Sequence, residues 1–224
     1  MNYSMIARLI LKDWYLQRWT ILASVVAGAG TLMLILAGGK IGFLLGIIAL
    51  VTVLIAVGAQ LATATIVEER KNQTLAFVMS LPISYREYTA SKIVGNLLIF
   101  LVPWLALVLG SFALILVRPE IPRGLLPFAA IMSVEILLST CLVAATALIT
   151  ESQGWTIGAV ITGNLALNGI GYYVAHVDSI ANGMSSKRIG WTSAASGLLG
   201  AEMILVLLLL SMTFFYQSRK KDFV

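Results

Sequence analysis

The sequence is poor in charged residues, cysteine and histidine. Only 11% of its 224 residues are charged, and 59% are hydrophobic, whereas a soluble domain carries roughly 25% charged residues. One cysteine, Cys141, excludes an internal disulfide framework and a Cys-rich metal site. One histidine, His176, leaves no second histidine to complete a metal site. With a mean hydropathy of +0.96, this composition predicts a polytopic membrane protein.

The sequence also lacks the motifs of membrane enzymes and ATPases. The nearest fragment to a Walker A loop, Gly38-Gly39-Lys40-Ile41, lacks the leading glycine and the Ser/Thr that bind phosphate and Mg²⁺. The aspartates, Asp13, Asp178 and Asp222, lie outside the predicted membrane spans, and no Gly-x-Ser-Gly motif is present. We therefore expect no catalytic residue, no metal site and no cofactor in this chain. The net charge of +5 is not a signal for a nucleic-acid partner.

Apolar stretches of about 20 residues, the length that crosses a bilayer, recur along the chain. They predict an all-α membrane protein, one transmembrane domain over 1–224, with six transmembrane helices at about 19–37, 43–67, 93–117, 125–149, 155–176 and 198–216. Two connectors are long. They are 68–92, between spans two and three, and 177–197, between spans five and six.

The distribution of lysine and arginine predicts the orientation. Six spans place both termini and the connectors after spans two and four on one side, which holds Arg8, Lys12, Arg18, Arg70, Lys71, Arg86, Lys92, Arg219, Lys220 and Lys221. The other side holds Lys40, Arg118, Arg123, Lys187 and Arg188. By the positive-inside rule the first side is cytoplasmic. We expect a multi-pass protein of a bacterial plasma (inner) membrane with cytoplasmic termini and an external 177–197 connector.

Residues 1–18 have an amphipathic pattern. Ile6, Leu9, Ile10 and Trp14 recur at helical spacing, and basic side chains occupy another face. The pattern predicts a helix that lies in the cytoplasmic interface before the first span.

The cytoplasmic segment 68–92 is a charged island between apolar spans. Leu75, Val78 and Met79 fall on one face of a short predicted helix, and Pro82 ends that helix. Ser84 and Glu87 then form a capping box that opens the next helix. An apolar stripe of this kind suits docking in a groove on a partner protein. Packing of the stripe on the N-terminal helix or on the bilayer surface is the alternative.

This segment resembles the first cytoplasmic connector of the type-2 family of ABC exporter permeases. The matching positions are Glu68, Glu69, Arg70, Thr74, Leu75, Leu81, Pro82, Ser84, Arg86 and Lys92. The N-terminal segment is similar to the elbow helix of that family. The resemblance implies that a short coupling helix contacts a separate ATP-binding subunit, which holds ATP and Mg²⁺. It assigns ATPase coupling to Glu68, Glu69, Arg70, Thr74, Leu75, Val78, Met79, Pro82 and Arg86.

Several polar residues fall inside the predicted spans. Glu135 is central in span four, where a charge costs several kcal/mol and usually faces a bundle interior or a wet cavity. Asn164 and Asn168 share one face of span five, the span that lies between subunits in the resembling family. These residues are candidates for the transport path. Protonation or local pairing is the alternative for Glu135, and hydrogen bonding between helices is the alternative for the asparagines.

We therefore expect the permease subunit of an ATP-driven exporter for a hydrophobic or amphipathic substrate such as a lipid, peptide or drug. Six spans make only half of the usual transport domain, so a second permease subunit, identical or homologous, is expected beside the ATPase and the membrane lipids. A six-span scaffold or sensor without an ATPase partner is the alternative function.

Overall fold

The computed structural model describes residues 3–71 and 84–219, and every regular element in these ranges is helical. The prediction of an all-α protein is confirmed. The helices, with two short non-α turns, are α1 (Tyr3–Ala37), α2 (Gly39–Ala62), a π-helical turn (Thr63–Val67), α3 (Glu68–Lys71), α4 (Tyr85–Val117), a 3-10 turn (Arg123–Leu125), α5 (Leu126–Thr150), α6 (Gln153–His176), α7 (Asp178–Met184) and α8 (Ser193–Ser218).

Five of these segments are long and apolar enough to cross a membrane. They are Ser4–Ala37, Gly39–Val67, Arg86–Val117, Arg123–Thr150 and Ser193–Ser218. The sixth predicted span, 155–176, does form a helix of suitable length, α6 with 24 residues. It is not among the five, because five glycines and two asparagines dilute its apolar residues. A sixth crossing by α6 therefore stays a prediction.

The predicted helix over 1–18 and the predicted first span at about 19–37 are continuous in the structure, because Tyr3–Ala37 form one uninterrupted helix of 35 residues. A position of its N-terminal part in the membrane interface stays a prediction. That part runs along α4, where Ile10 lies against Gly95. The apolar stripe is therefore used for packing within the protein, with Ile6 and Leu9 buried.

Helices α1 and α2 form a tight antiparallel hairpin. Gly39 makes the turn with φ +56, a left-handed conformation that glycine adopts without a steric penalty. Beyond the turn, Gly42 faces α1 so closely that a Cβ atom would stand 2.7 Å from the Leu34 carbonyl oxygen. Small residues of this kind let membrane helices approach to backbone contact.

Helix α5 is the central element of the described bundle. In its most apolar stretch of 18 residues, 56% of the residues are buried. The helix packs against α2, α4, α6 and α8. Cys141 lies in this core, 3% exposed, as a small buried side chain. At one end of the bundle α7 contributes Ile180 to a cluster with Ile131, Val174 and Ala195.

A pair of alanine substitutions tests the hairpin contact. We expect Gly42→Ala to lower the melting temperature of the purified protein by several degrees, because overpacking costs about 1–3 kcal/mol. Gly30→Ala is the matched control on the same hairpin, since a Cβ there meets nothing within 4 Å. It should leave the melting temperature unchanged or raise it, because alanine favours helix by about 1 kcal/mol over glycine. Equal effects of the two substitutions would contradict the close approach at Gly42.

Candidate functional site

The described residues include only the two ends of the predicted coupling segment. Thr74, Leu75, Val78, Met79 and Pro82 lie outside the described residues, so their predicted role is untested. Glu68, Glu69 and Arg70 belong to α3 at the first end. Arg86 lies in the first turn of α4 at the other end, with an exposed side chain.

Helix α2 passes into α3 through the π-helical turn. Such turns are rare and occur often at functional sites. Within the turn Thr65 is buried, and its hydroxyl accepts a hydrogen bond of 2.6 Å from Nδ2 of Asn96 on α4. The turn thus joins the end of α2 to α4. Glu69 follows directly and is 9% exposed, whereas Glu68 is exposed.

The predicted capping box at the start of α4 is confirmed. The Glu87 backbone N–H donates to the Ser84 hydroxyl at 3.3 Å, and the Ser84 backbone N–H donates to Glu87 Oε2 at 2.9 Å. Two backbone N–H groups at the helix start are therefore paired. The cap defines where the segment ends and α4 begins.

A buried lysine connects three helices at this end of the bundle. The Lys92 ammonium lies 2.8 Å from Asp13 Oδ2 on α1 and 2.8 Å from Glu69 Oε2 on α3. Its side chain is only 1% exposed. A buried ammonium is tolerated only when its charge is paired and its N–H groups are hydrogen-bonded. Lys92 therefore ties α1, α3 and α4 together at a single atom.

Two further side chains complete this cluster. Lys12 donates a short hydrogen bond to Glu69 Oε1 and lies 3.4 Å from Asp13 Oδ1. The Tyr88 hydroxyl donates to Glu69 Oε2 at 3.2 Å. We call Lys12, Asp13, Glu69, Tyr88 and Lys92 the ion cluster. Its two ammonium groups balance its two carboxylates, so it is neutral as a unit.

Along α1, the ion cluster is more than one hydrocarbon thickness from the far end of the helix. Asp13 is 24 residues from the end of α1 at Ala37, a distance of about 36 Å at 1.5 Å per residue, while the hydrocarbon core is about 30 Å thick. Burial alone raises the pKa of Glu69, but the Lys92 charge and the Lys12 hydrogen bond outweigh burial and hold this pKa below its ordinary value of 4.5. Glu69 is therefore an anion at neutral pH.

The ion cluster joins the two ends of the segment that is predicted to couple to the ATPase. Glu69 precedes residues 72–83, and Tyr88 and Lys92 follow them. Two direct contacts, Lys92 to Glu69 and Tyr88 to Glu69, therefore hold α3 and α4 together on the two sides of residues 72–83.

The predicted intramembrane site residues do not form one site. Glu135 on α5 is 2% exposed and interacts electrostatically with Glu202 on α8, which is 5% exposed. One carboxylate oxygen of each, Oε2, is buried without a hydrogen-bond partner among the described residues. Asn168 lies on the exposed face of α6, while Asn164 is half-buried. No hydrogen bond within the described ranges joins Glu135 to either asparagine.

The side-chain amides of Asn164 and Asn168 both donate to backbone carbonyls of their own helix. Asn168 Nδ2 donates to the Asn164 carbonyl at 2.8 Å, and Asn164 Nδ2 donates to the Val160 carbonyl at 3.5 Å. A Cβ atom added at Gly158 would meet nothing within 4 Å among the described residues, whereas one added at Gly163 would stand 3.1 Å from Ser139 of α5. Close packing of α6 on α5 is therefore seen at Gly163.

Sequence reasoning missed the partnership of Asp13 and Lys92. Both were counted as charges beyond the spans, and their distance along the chain, 79 residues, gives no local signal. The sequence offered one signal: Asp13 and Lys92 are each an ionisable residue close to the end of a long apolar run. Gln217, whose Nε2 donates to the Leu148 carbonyl from a buried position, was missed for the same reason.

A family model described as "ABC-2 family transporter protein" matches residues 8–218. No curated protein and no solved structure matches the chain. The matched range includes the ion cluster and every described helix from residue 8 onward.

The ion cluster predicts a large cost for removing Lys92. We expect Lys92→Met to destabilise the protein by about 3–5 kcal/mol, because it leaves buried carboxylates without their cation. Melting temperature in neutral detergent measures the effect. Lys71→Met is the matched control, since Lys71 is an exposed lysine at the same end. The triple change Asp13→Asn, Glu69→Gln, Lys92→Met should cost less than Lys92→Met alone. A larger cost for the triple variant would refute pairing.

The lowered pKa of Glu69 predicts a pH dependence. A carboxylate whose pKa is lower in the folded protein stabilises it above the unfolded pKa, and this contribution is lost as the pH falls through the folded pKa. The stability difference between wild type and Glu69→Gln should therefore be constant at neutral pH and shrink below about pH 4.5. Melting curves of both proteins between neutral and acidic pH measure this. A constant difference over the whole range would contradict an ion-paired Glu69.

Proposed function

Because this chain belongs to the ABC-2 transporter family, we propose that it is the permease subunit of an ATP-driven exporter. The family implies a multi-pass membrane component and an ATP-binding partner. In the proposal the partner subunit holds ATP and Mg²⁺ and hydrolyses ATP, and this chain has no catalytic role. Residues 72–83 contact the partner from the cytoplasm, and both termini of the permease lie on that side of the plasma membrane.

The observation that carries the proposal is the ion cluster, which joins the helices on the two sides of residues 72–83. A segment that receives force from a motor needs a rigid connection to the spans, or it bends without moving them. Lys92 is buried and paired at 2.8 Å to both Asp13 and Glu69. Buried charge pairs have strict geometric requirements. Displacement of residues 72–83 should therefore shift α1, α2 and α4 as one body.

The proposed mechanism is alternating access. Closure of the ATPase pair moves residues 72–83 of each permease subunit. The spans then tilt so that the path between the two permease subunits opens outward. A hydrophobic or amphipathic substrate then leaves from the cytoplasm or the inner leaflet. Glu135, Asn164 and Asn168 are the proposed contacts along the path. Support comes from the unpartnered buried oxygen of Glu135 and the exposed amide of Asn168.

A second permease subunit is part of the proposal. The outer face of α6 carries Gly154, Gly158 and Asn168 beside exposed apolar residues. Glycines at this spacing and an outward amide are suited to a protein neighbour rather than to lipid. The α6 face therefore supports a dimer in which two α6 helices meet.

Partner capture tests the proposal. The chain is expressed together with its neighbouring genes and purified in mild detergent. Native mass spectrometry then measures the mass of the purified complex. We expect a complex of two permease chains and two ATPase chains. Leu75→Asp and Val78→Asp should each reduce recovery of the ATPase at least about tenfold, because a charge in an apolar contact costs more than one decade of affinity.

The control is Lys187→Asp, which changes charge at the opposite end of the bundle, in the 177–197 connector. It should leave ATPase recovery unchanged. Purification of the wild-type chain without any Walker A protein would support the scaffold or sensor alternative and overturn the exporter proposal. Capture that survives both loop substitutions would reject 72–83 as the contact.

A further inference from the structure

An apolar groove opens at the end of the bundle opposite to the ion cluster. Two adjoining cavities of about 320 and 500 Å³ form it, within the range of about 300–1,000 Å³ that is typical of ligand sites. They share the wall residues Ile35, Phe43, Ile121 and Leu125. The groove is therefore continuous, with a deep part between α2, α4 and α5 and a mouth beside the α1–α2 turn.

The hydroxyls of the deep part have no free proton to donate to an occupant. Its lining contains two serines among apolar side chains. Ser111 Oγ donates to the Val108 carbonyl at 2.8 Å, and Ser133 Oγ donates to the Ala129 carbonyl at 2.6 Å. Both hydroxyl protons are thus used within their own helices. The deep part therefore favours an apolar occupant, since a hydrogen-bond acceptor there would find no hydroxyl donor.

The length of the groove corresponds to one leaflet. Along α2 its apolar lining runs from Phe43 to Leu54, which is about 17 Å at 1.5 Å per residue. Half of the hydrocarbon core is about 15 Å. An acyl chain that enters from the bilayer surface would therefore lie in the groove along its full depth.

The mouth of the groove carries a net positive charge. Lys40 and Arg118 line it together with Glu120. Glu120 is 79% exposed and stands 3.9 Å from Arg118, a surface pair of little strength. Lys40 forms no ion pair with any residue in 3–71 or 84–219. Two cations at the level of the headgroups are suited to a phosphate.

We propose that this groove binds one anionic membrane phospholipid, with an acyl chain between α2, α4 and α5 and its phosphate between Lys40 and Arg118. Charge complementarity at the mouth selects the headgroup, and the apolar depth selects the chain. The site lies within one protomer, and none of its lining residues belongs to α6 or to the ion cluster. It is therefore independent of the proposed transport mechanism and its outcome.

Lipid binding to the purified full-length chain tests this site. Native mass spectrometry in neutral detergent measures the occupancy of dipalmitoyl phosphatidylglycerol and of dipalmitoyl phosphatidylcholine, which share their chains and differ in net charge. We expect at least about tenfold tighter binding of the anionic lipid. High salt should reduce this preference, because the mouth is exposed to water.

Two sets of variants distinguish recognition of the lipid headgroup from binding of the acyl chain. Lys40→Gln with Arg118→Gln should remove the anionic preference, while Lys187→Gln with Arg188→Gln, an equal charge change at the same end, should retain it. Ala129→Phe places a ring in the deep part and should abolish binding of both lipids, while Ala201→Phe on the exposed face of α8 should not. If Ala129→Phe does not fold, Ser111→Leu blocks the same part with less added volume.

The results that would overturn the proposal are specific. Equal binding of the two lipids by the wild type would reject a headgroup site at Lys40 and Arg118. An equal loss of preference in the Lys187 and Arg188 control would attribute the preference to overall charge. Binding that persists with the groove filled would place the lipid elsewhere on the apolar surface.

Discussion

The arrangement of the described helices at one membrane surface depends on a single buried ammonium group. Lys92 has almost no contact with solvent, and its charge is balanced by Asp13 from the first helix and Glu69 from the end of the second span. The free energy of removing these charges from water is large and is offset only when all partners are in place. The cluster therefore specifies one relative position of α1, α3 and α4.

The ion cluster also holds together the two helices that flank residues 72–83. Glu69 of α3 contacts Lys92 and Tyr88 of α4, and the capping box adds a fixed start to α4. The π-helical turn before α3 adds a hydrogen bond from Asn96 to Thr65. In the proposed mechanism, a force on residues 72–83 would therefore act on α1, α2 and α4 together.

Much of the fold could be predicted from composition and spacing, because bilayer thickness fixes the length of apolar runs. Predicted and observed helix ends agree within a few residues for spans four and five, and the Ser84–Glu87 cap could be predicted from four consecutive residues. The pairing of charges distant in the sequence could not be predicted. Asp13 and Lys92 are 79 positions apart, and nothing local distinguishes a charge that meets a partner from one that meets water. The same limit applies to residues 3–18, because an amphipathic stripe fits an interface or a neighbouring helix equally well. In the structure, Ile10 of this stripe packs against Gly95 of α4.

The order in which the chain is synthesised gives the glycine-lined hairpin a further significance. Asp13 and Glu69 leave the ribosome before Lys92 does, so both acids are synthesised before the cation that they share. The contact between Gly42 and Leu34 involves only residues that are already synthesised at that point. The α1–α2 hairpin therefore contains its own packing contact before the third long helix brings Lys92.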